Sequence, residues 1–219
     1  MEHAETGIAM GTVVGGGDTV KTVARWMKNV VLRSLGRSDY ERWADPGNLE
    51  AWWETRTQKL AAMVPKGTRV IEFGAGTRPL ERCLDPSCTY LASDLVERGP
   101  DTFVCDLNRR PLPDLGPLHP DVAVFAGVLE YVGDVPSLAA WLSGQVRYCV
   151  ASYAVARPAG LMRALTAGAQ RTYYGYMNSY TETDLVSLFH QGGFACLRTD
   201  SWNDQRLFLF ATQPVEARS

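Results

Sequence analysis

The chain has 219 residues, 46% hydrophobic and 21% charged, which suits one ordinary domain with a sizeable core and excludes a disordered chain. A formal net charge of −2 excludes a whole-molecule electrostatic footprint for nucleic acid. The five cysteines, Cys83, Cys88, Cys105, Cys149 and Cys196, form no C-x-x-C pair, so we expect reduced thiols in a cytoplasmic protein, with neither disulfides nor zinc.

Residues 1–17 (MEHAETGIAMGTVVGGG) are glycine-rich and carry Glu2 and Glu5 without a long apolar stretch, which argues against a signal peptide. No run of about 18 apolar residues follows anywhere, so no membrane span is expected. DTVKTVARWMKNVVLRSL then places Val20, Val23, Met27, Val30 and Val31 at helical spacing, with Asp18 as N-cap and Lys21, Arg25, Lys28 and Arg33 on the other face. Two readings fit: a packed helix with a solvated basic face, which is favoured, and a helix lying on a membrane surface. A second helix is expected from Leu49 to Met63, ended by Pro65-Lys66-Gly67. The segment 1–48 is read as a helical cap and 49–219 as the main domain.

From residue 69 the rhythm changes. RVIEF, TYLASD, TFVCD and DVAVFAG are short apolar runs separated by turns or helix-like segments, and three of them reach Asp or Glu. Apolar strands alternating with helices predict a mostly parallel sheet covered on both faces. PSLAAWLSGQ reads as a helix and RYCVASYAV as a fifth strand. Residues 156–180, rich in arginine and tyrosine, break the rhythm as a substrate-side insertion. TETDLVSLFHQGGF is a helix opened by Thr181 and Asp184 and stopped by Gly192-Gly193. ACLRTDSW and QRLFLFATQ close the chain as a hairpin.

EFGAG follows the first strand, where a ligand lies close only if side chains are absent, hence Gly74 and Gly76. The third glycine of the dinucleotide fingerprint is Pro79 here, which starts a helix well but does not replace a glycine. Asp94 ends the second strand, where a carboxylate can accept both hydroxyls of a ribose, and Asp106 ends the third, within reach of an adenine edge. Glu72, Gly74, Gly76, Asp94 and Asp106 in this order describe an adenosine site with no phosphate cradle.

This order resembles the class I S-adenosylmethionine-dependent methyltransferases. EFGAG is similar to their first motif, SDL to their second, CDLN to their adenine-side motif and FAGVLEYV to the stretch after their fourth strand. The likeness spans roughly residues 40–212 and implies a Rossmann-like α/β fold: a seven-stranded, mostly parallel sheet with helices on both faces and an antiparallel last strand. It further implies that Glu72, Gly74 and Gly76 line the methionine moiety of S-adenosylmethionine, that Asp94 binds the ribose, and that Asp106 and Leu107 flank the adenine. Ala75, Leu95 and Gly127 are also expected at the cofactor. Two residues depart from the pattern: Arg78 stands at the usual third small residue and Tyr131 at a common histidine.

An arginine near the turn can pair with the methionine carboxylate; Arg56 is slightly favoured over Arg78. Glu130 and Tyr131 are the candidates for a base, should the acceptor need to lose a proton. His190, late in a helix, reads as structural, and His119 lies in a loop. The resemblance to small-molecule enzymes implies a hydroxyl acceptor of a sugar or secondary metabolite, with an amine as alternative. Nothing matches the N/D-P-P-[YF] motif of enzymes that methylate nucleic-acid amines. An NAD-dependent oxidoreductase and a non-catalytic S-adenosylmethionine-binding scaffold are the rival readings.

Overall fold

A computed structural model describes residues 16–49, 53–156 and 161–213. The strands are β1 (Arg69–Phe73), β2 (Thr89–Asp94), β3 (Phe103–Val104), β4 (Val122–Ala126), β5 (Tyr148–Tyr153), β6 (Phe194–Trp202) and β7 (Gln205–Thr212). The helices are α1 (Gly16–Ser34), α2 (Tyr40–Ala44), α3 (Glu54–Ala61), α4 (Pro79–Cys83), α5 (Val135–Ser143), α6 (Leu161–Tyr173) and α7 (Glu182–Gln191).

One sheet runs in the order β3-β2-β1-β4-β5-β7-β6. β1 pairs in parallel with β2 and β4, and β4 with β5, whereas β7 runs antiparallel to both β5 and β6. The expected terminal hairpin is therefore present, with β7 as the reversed strand. Strand order reverses at β1, so the carboxyl ends of β1 and β4 flank the crevice where open α/β sheets take their ligands.

The near-continuous apolar strands are buried on both faces. Val70, Val122, Val124, Val150 and Leu207 pack on one face beneath Leu60, Met63 and Val64. Their neighbours Ile71, Ala123, Phe125, Ala151 and Phe208 face the other way, beneath Leu138 and Leu142 of α5 and Leu185 and Phe189 of α7. Each fully buried Leu or Phe contributes about 1.5–3 kcal/mol from burial, so this two-sided packing holds the ligand edge in place. Thr181 caps α7 and forms a reciprocal capping box with Asp184, as its spacing predicts.

Several elements differ from the sequence-based expectation. Regular pairing in the third strand stops at Val104, and Asp106 lies two residues beyond it. α3 spans Glu54–Ala61, and residues 50–52 of the helix expected from Leu49 lie outside the described residues. Most of the glycine-rich leader and Arg157 of the insertion also lie outside them. Within the insertion, residues 161–173 form α6. α1 already includes Gly16, so Asp18 sits inside the first turn and is not its cap.

The largest correction concerns which face of α1 is inside. Val20, Val23, Met27, Val30 and Val31, which were expected to pack, are exposed, as are Trp26 and Leu35. The helix instead meets α6 through polar groups. Asn29 is buried and its Nδ2 donates to the carbonyls of Thr172 (3.0 Å) and Tyr173 (2.9 Å) at the C-terminal end of α6, where backbone acceptors lack helical partners. The Arg25 guanidinium stacks 4.7 Å from the Tyr173 ring.

Candidate functional site

The carboxyl ends of β1, β2 and β4 open into a cavity of about 460 Å³, within the size range of small-molecule sites. Phe73 and Gly74, Asp94 and Leu95, and Ala126 and Gly127 form its floor, and Asp106 and Leu107 form one end. A smaller cavity of about 160 Å³ shares Trp53, Arg56 and Gly74 with it and adds Glu72, Ala75 and Gly76. Ten of the eleven residues predicted to hold the cofactor therefore gather on one sheet edge. Arg78 is the exception.

Asp94 is almost wholly buried, and its carboxylate organises the turn. Oδ2 accepts the Gly76 N–H at 2.9 Å and Arg98 Nε at 3.0 Å, while Oδ1 accepts the Val96 N–H at 3.0 Å. Asp106 Oδ1 accepts Ser38 Oγ at 2.6 Å and the Asn108 N–H at 2.9 Å. Glu72 lies beneath the turn, buried, with Tyr90 OH donating to its Oε2 at 2.6 Å. Burial pushes its carboxyl up to about 8, although the Tyr90 hydrogen bond and the Arg56 charge pull the other way.

Gly74 and Gly127 both adopt positive φ, at 71° and 70°. The bare Cα at Gly74 serves more than ligand approach, because a Cβ there would stand 2.6 Å from Val128 Cγ2. A Cβ on Gly127 would meet Arg56 Nη1 at 2.5 Å, so this glycine makes room for the arginine.

A family model described as "Methyltransferase domain" matches residues 42–199. The chain belongs to the class I S-adenosylmethionine-dependent methyltransferases. A comparison with curated proteins gave no match. Solved structures share the fold. Human N-acetylserotonin methyltransferase in complex with SAM has a TM-score of 0.64 and 15% identity over 91% of this chain and 68% of that one. The SAH-bound calicheamicin-biosynthesis methyltransferase CalO1 gives 0.57 and 16% over 76% and 56%. The mitomycin 7-O-methyltransferase MmcR gives 0.59 and 13% over 89% and 68%. This methyltransferase thus spans little more than half the length of CalO1.

Arg56 lines both cavities. It is buried, its ring contacts are Trp53 at 5.1 Å and Trp202 at 5.8 Å, and its Nη2 donates to the Ala126 carbonyl at 3.0 Å. Its Nε is buried without a partner. Burial lowers its pKa, and the nearby Glu130 and Glu72 carboxyls oppose that shift. Arg78 points elsewhere. Its two η nitrogens form a fork on Asp101 at 2.6 and 2.7 Å, and it lines neither cavity. That bidentate pair takes up the donors a methionine carboxylate would need.

The opposite wall of the larger cavity is aromatic. Trp43 meets Tyr131 edge-on at 4.9 Å, and Tyr131 meets Tyr176 at 5.4 Å, while Arg42 lies 4.6 Å from the Trp43 ring. Burial pushes the Tyr131 hydroxyl up to about 12, which suits a donor or packing group better than a proton acceptor.

Glu130 lines the same cavity and is 1% exposed. Its Oε1 accepts the Ala154 N–H at 2.7 Å, but Oε2 is buried with no hydrogen-bond partner. Burial raises its pKa against the pull of the Ala154 hydrogen bond. His119 and His190 are exposed and line neither cavity.

Three participants escaped the sequence reading. Arg98 joins Asp94 to the segment before α3, since its Nη2 donates to the Trp43 carbonyl at 2.6 Å. Asn108 Nδ2 donates to Ser38 Oγ at 2.9 Å and to the Tyr131 carbonyl at 2.7 Å. Ser38 completes that link through Asp106. Asn108 stood inside the quoted CDLN motif, but its partners are 23 and 70 residues away in sequence.

Proposed function

We propose that this methyltransferase methylates a hydroxyl of a small molecule, a sugar or secondary metabolite, with an amine as the alternative acceptor. The observation that carries the hydroxyl reading is Glu130. Its buried Oε2 has no hydrogen-bond partner, and the residue lines the same cavity as the aromatic wall, which suits a flat or hydroxylated acceptor. A hydroxyl must shed its proton during methyl transfer, whereas a neutral amine can attack with its lone pair. The O-methyltransferase named among the neighbours supports the same choice.

The residues fit S-adenosylmethionine. Arg56, with a buried unpartnered Nε, would bind the methionine carboxylate. Glu72 would bind the ammonium, with Ala75 and Gly76 alongside. Asp94 and Leu95 would hold the ribose, Asp106 and Leu107 the adenine, and Gly127 would leave Arg56 its space. When bound, the cofactor supplies a methyl group already activated on a sulfonium. The protein's work is to orient the acceptor against Trp43, Tyr131 and Tyr176, exclude water, and take the hydroxyl proton on Glu130 Oε2. The segment up to residue 48 would act as a cap, held by Ser38 on Asp106 and by Arg98 on the Trp43 carbonyl.

Glu72 gives this reading a pH signature. With its pKa near 8 the carboxyl is mostly protonated at pH 7. A bound ammonium favours the ionised form, so binding expels the proton and affinity rises as pH climbs toward 8. Calorimetry at pH 7 in buffers of different ionisation enthalpy is expected to show roughly one proton released per cofactor bound. Release should vanish in Glu72→Gln; equal release in that variant would show that another group ionises.

The acceptor reading is tested by incubating the protein and S-adenosylmethionine with a panel of hydroxylated and amino aromatics and sugars, followed by mass spectrometry. Gain of one methylene mass on hydroxyl compounds supports it. Gain only on amines selects the alternative, and cofactor binding with no gain across the panel favours the scaffold.

A further inference from the structure

We propose that the outward face of α1 docks on the surface of an anionic lipid bilayer. With about 100° of rotation per residue, Arg25, Asn29 and Leu32 define the face turned toward α6 and the larger cavity. Val23, Trp26, Met27 and Val31 fall on the opposite half of the helix, where Val23, Met27 and Val31 are each half or more exposed. Lys21 and Lys28 lie along one border of that apolar face, and Arg33 along the other.

This is the arrangement by which a helix lies in the interfacial plane: apolar side chains and a tryptophan sink into the acyl boundary while flanking cations reach the headgroups. Residues 20–37 carry five basic side chains and no acidic one, in a chain whose net charge is −2. Lys28 is already engaged by Asp39 (2.8 Å) and Glu41 (2.9 Å), so Lys21 and Arg33 are left to supply most of the attraction. That asymmetry favours lipid over a second copy, because a two-fold contact through this face would set like cations against each other.

The consequence is spatial. Asn29, Leu32 and Arg33 of the same helix line the larger cavity. Docking would set that cavity about one helix diameter, roughly 10 Å, from the lipid.

The test is co-sedimentation of the full chain with vesicles of phosphatidylcholine alone or mixed with phosphatidylglycerol, alongside light scattering without lipid. Binding to the mixed vesicles is expected to exceed binding to the neutral ones by about tenfold. The exposed pair Val23→Glu with Met27→Glu should abolish it while leaving the thermal melt unchanged. Lys21→Gln, which removes one positive charge, should weaken it about fivefold. Absence of wild-type binding to the mixed vesicles would overturn the proposal, as would binding that survives both variants. A dimer dissociated by the Val23/Met27 pair, without vesicle binding, would assign the face to a second copy instead.

Discussion

Replacing Asp94 by alanine is expected to lower affinity for S-adenosylhomocysteine by about a hundredfold. A hydrogen bond to a charged group contributes about 1.5–3 kcal/mol, and two ribose hydroxyls sharing one carboxylate reach that loss together. The same carboxylate also fixes the glycine turn, since it accepts the Gly76 and Val96 N–H groups and Arg98 Nε. The alanine variant therefore removes both a ligand contact and the support of the turn. Binding should be read beside a thermal melt, and beside Arg98→Ala, which leaves the carboxylate in place. A folded Asp94→Ala with unchanged affinity would show that the ribose lies elsewhere. If Arg98→Ala matched its loss, the turn rather than the ribose contact would be the cause.

Glu130→Gln is expected to cut kcat by about 10²–10⁴-fold while leaving cofactor affinity within about twofold. The amide oxygen can still accept the Ala154 N–H, so the connection that the carboxylate makes at 2.7 Å survives. What is lost is the capacity of Oε2 to take a proton. The carboxyl works as a base only when ionised, so kcat should rise with pH through its pKa. Because burial raises that pKa, the rising limb should lie above the ordinary carboxylate range and vanish in the glutamine variant. An unchanged kcat and pH profile would reduce Glu130 to its structural contact and leave positioning as the source of rate.

The sheet was readable in the sequence because β1, β4 and β5 are buried on both faces, which demands unbroken apolar runs. The position of Asp94 on the cavity was readable for a related reason, since strand ends at one edge of a parallel sheet converge on one place, whereas Asp106 reaches the same cavity from two residues beyond β3. β3 was overestimated because only Phe103 and Val104 pair with β2, although TFVCD carries a longer apolar signal. α1 shows a different limit. Periodicity finds the two faces of a helix, but only its neighbours decide which one turns inward, and α6 offers carbonyl groups and a tyrosine ring that suit Asn29 and Arg25. Ser38 and Asn108 were invisible because their partners come from distant segments, and Arg98 because, beyond its local pair with Asp94, it reaches the distant Trp43 carbonyl. Arg78 was ambiguous until Asp101, 23 residues on, proved to hold it.

Calorimetry of the purified protein with S-adenosylmethionine, S-adenosylhomocysteine and NAD tests most directly whether this edge holds an adenosine ligand through its methionine end. Binding of the first two, without NAD, is the expected result; binding of NAD alone would contradict it.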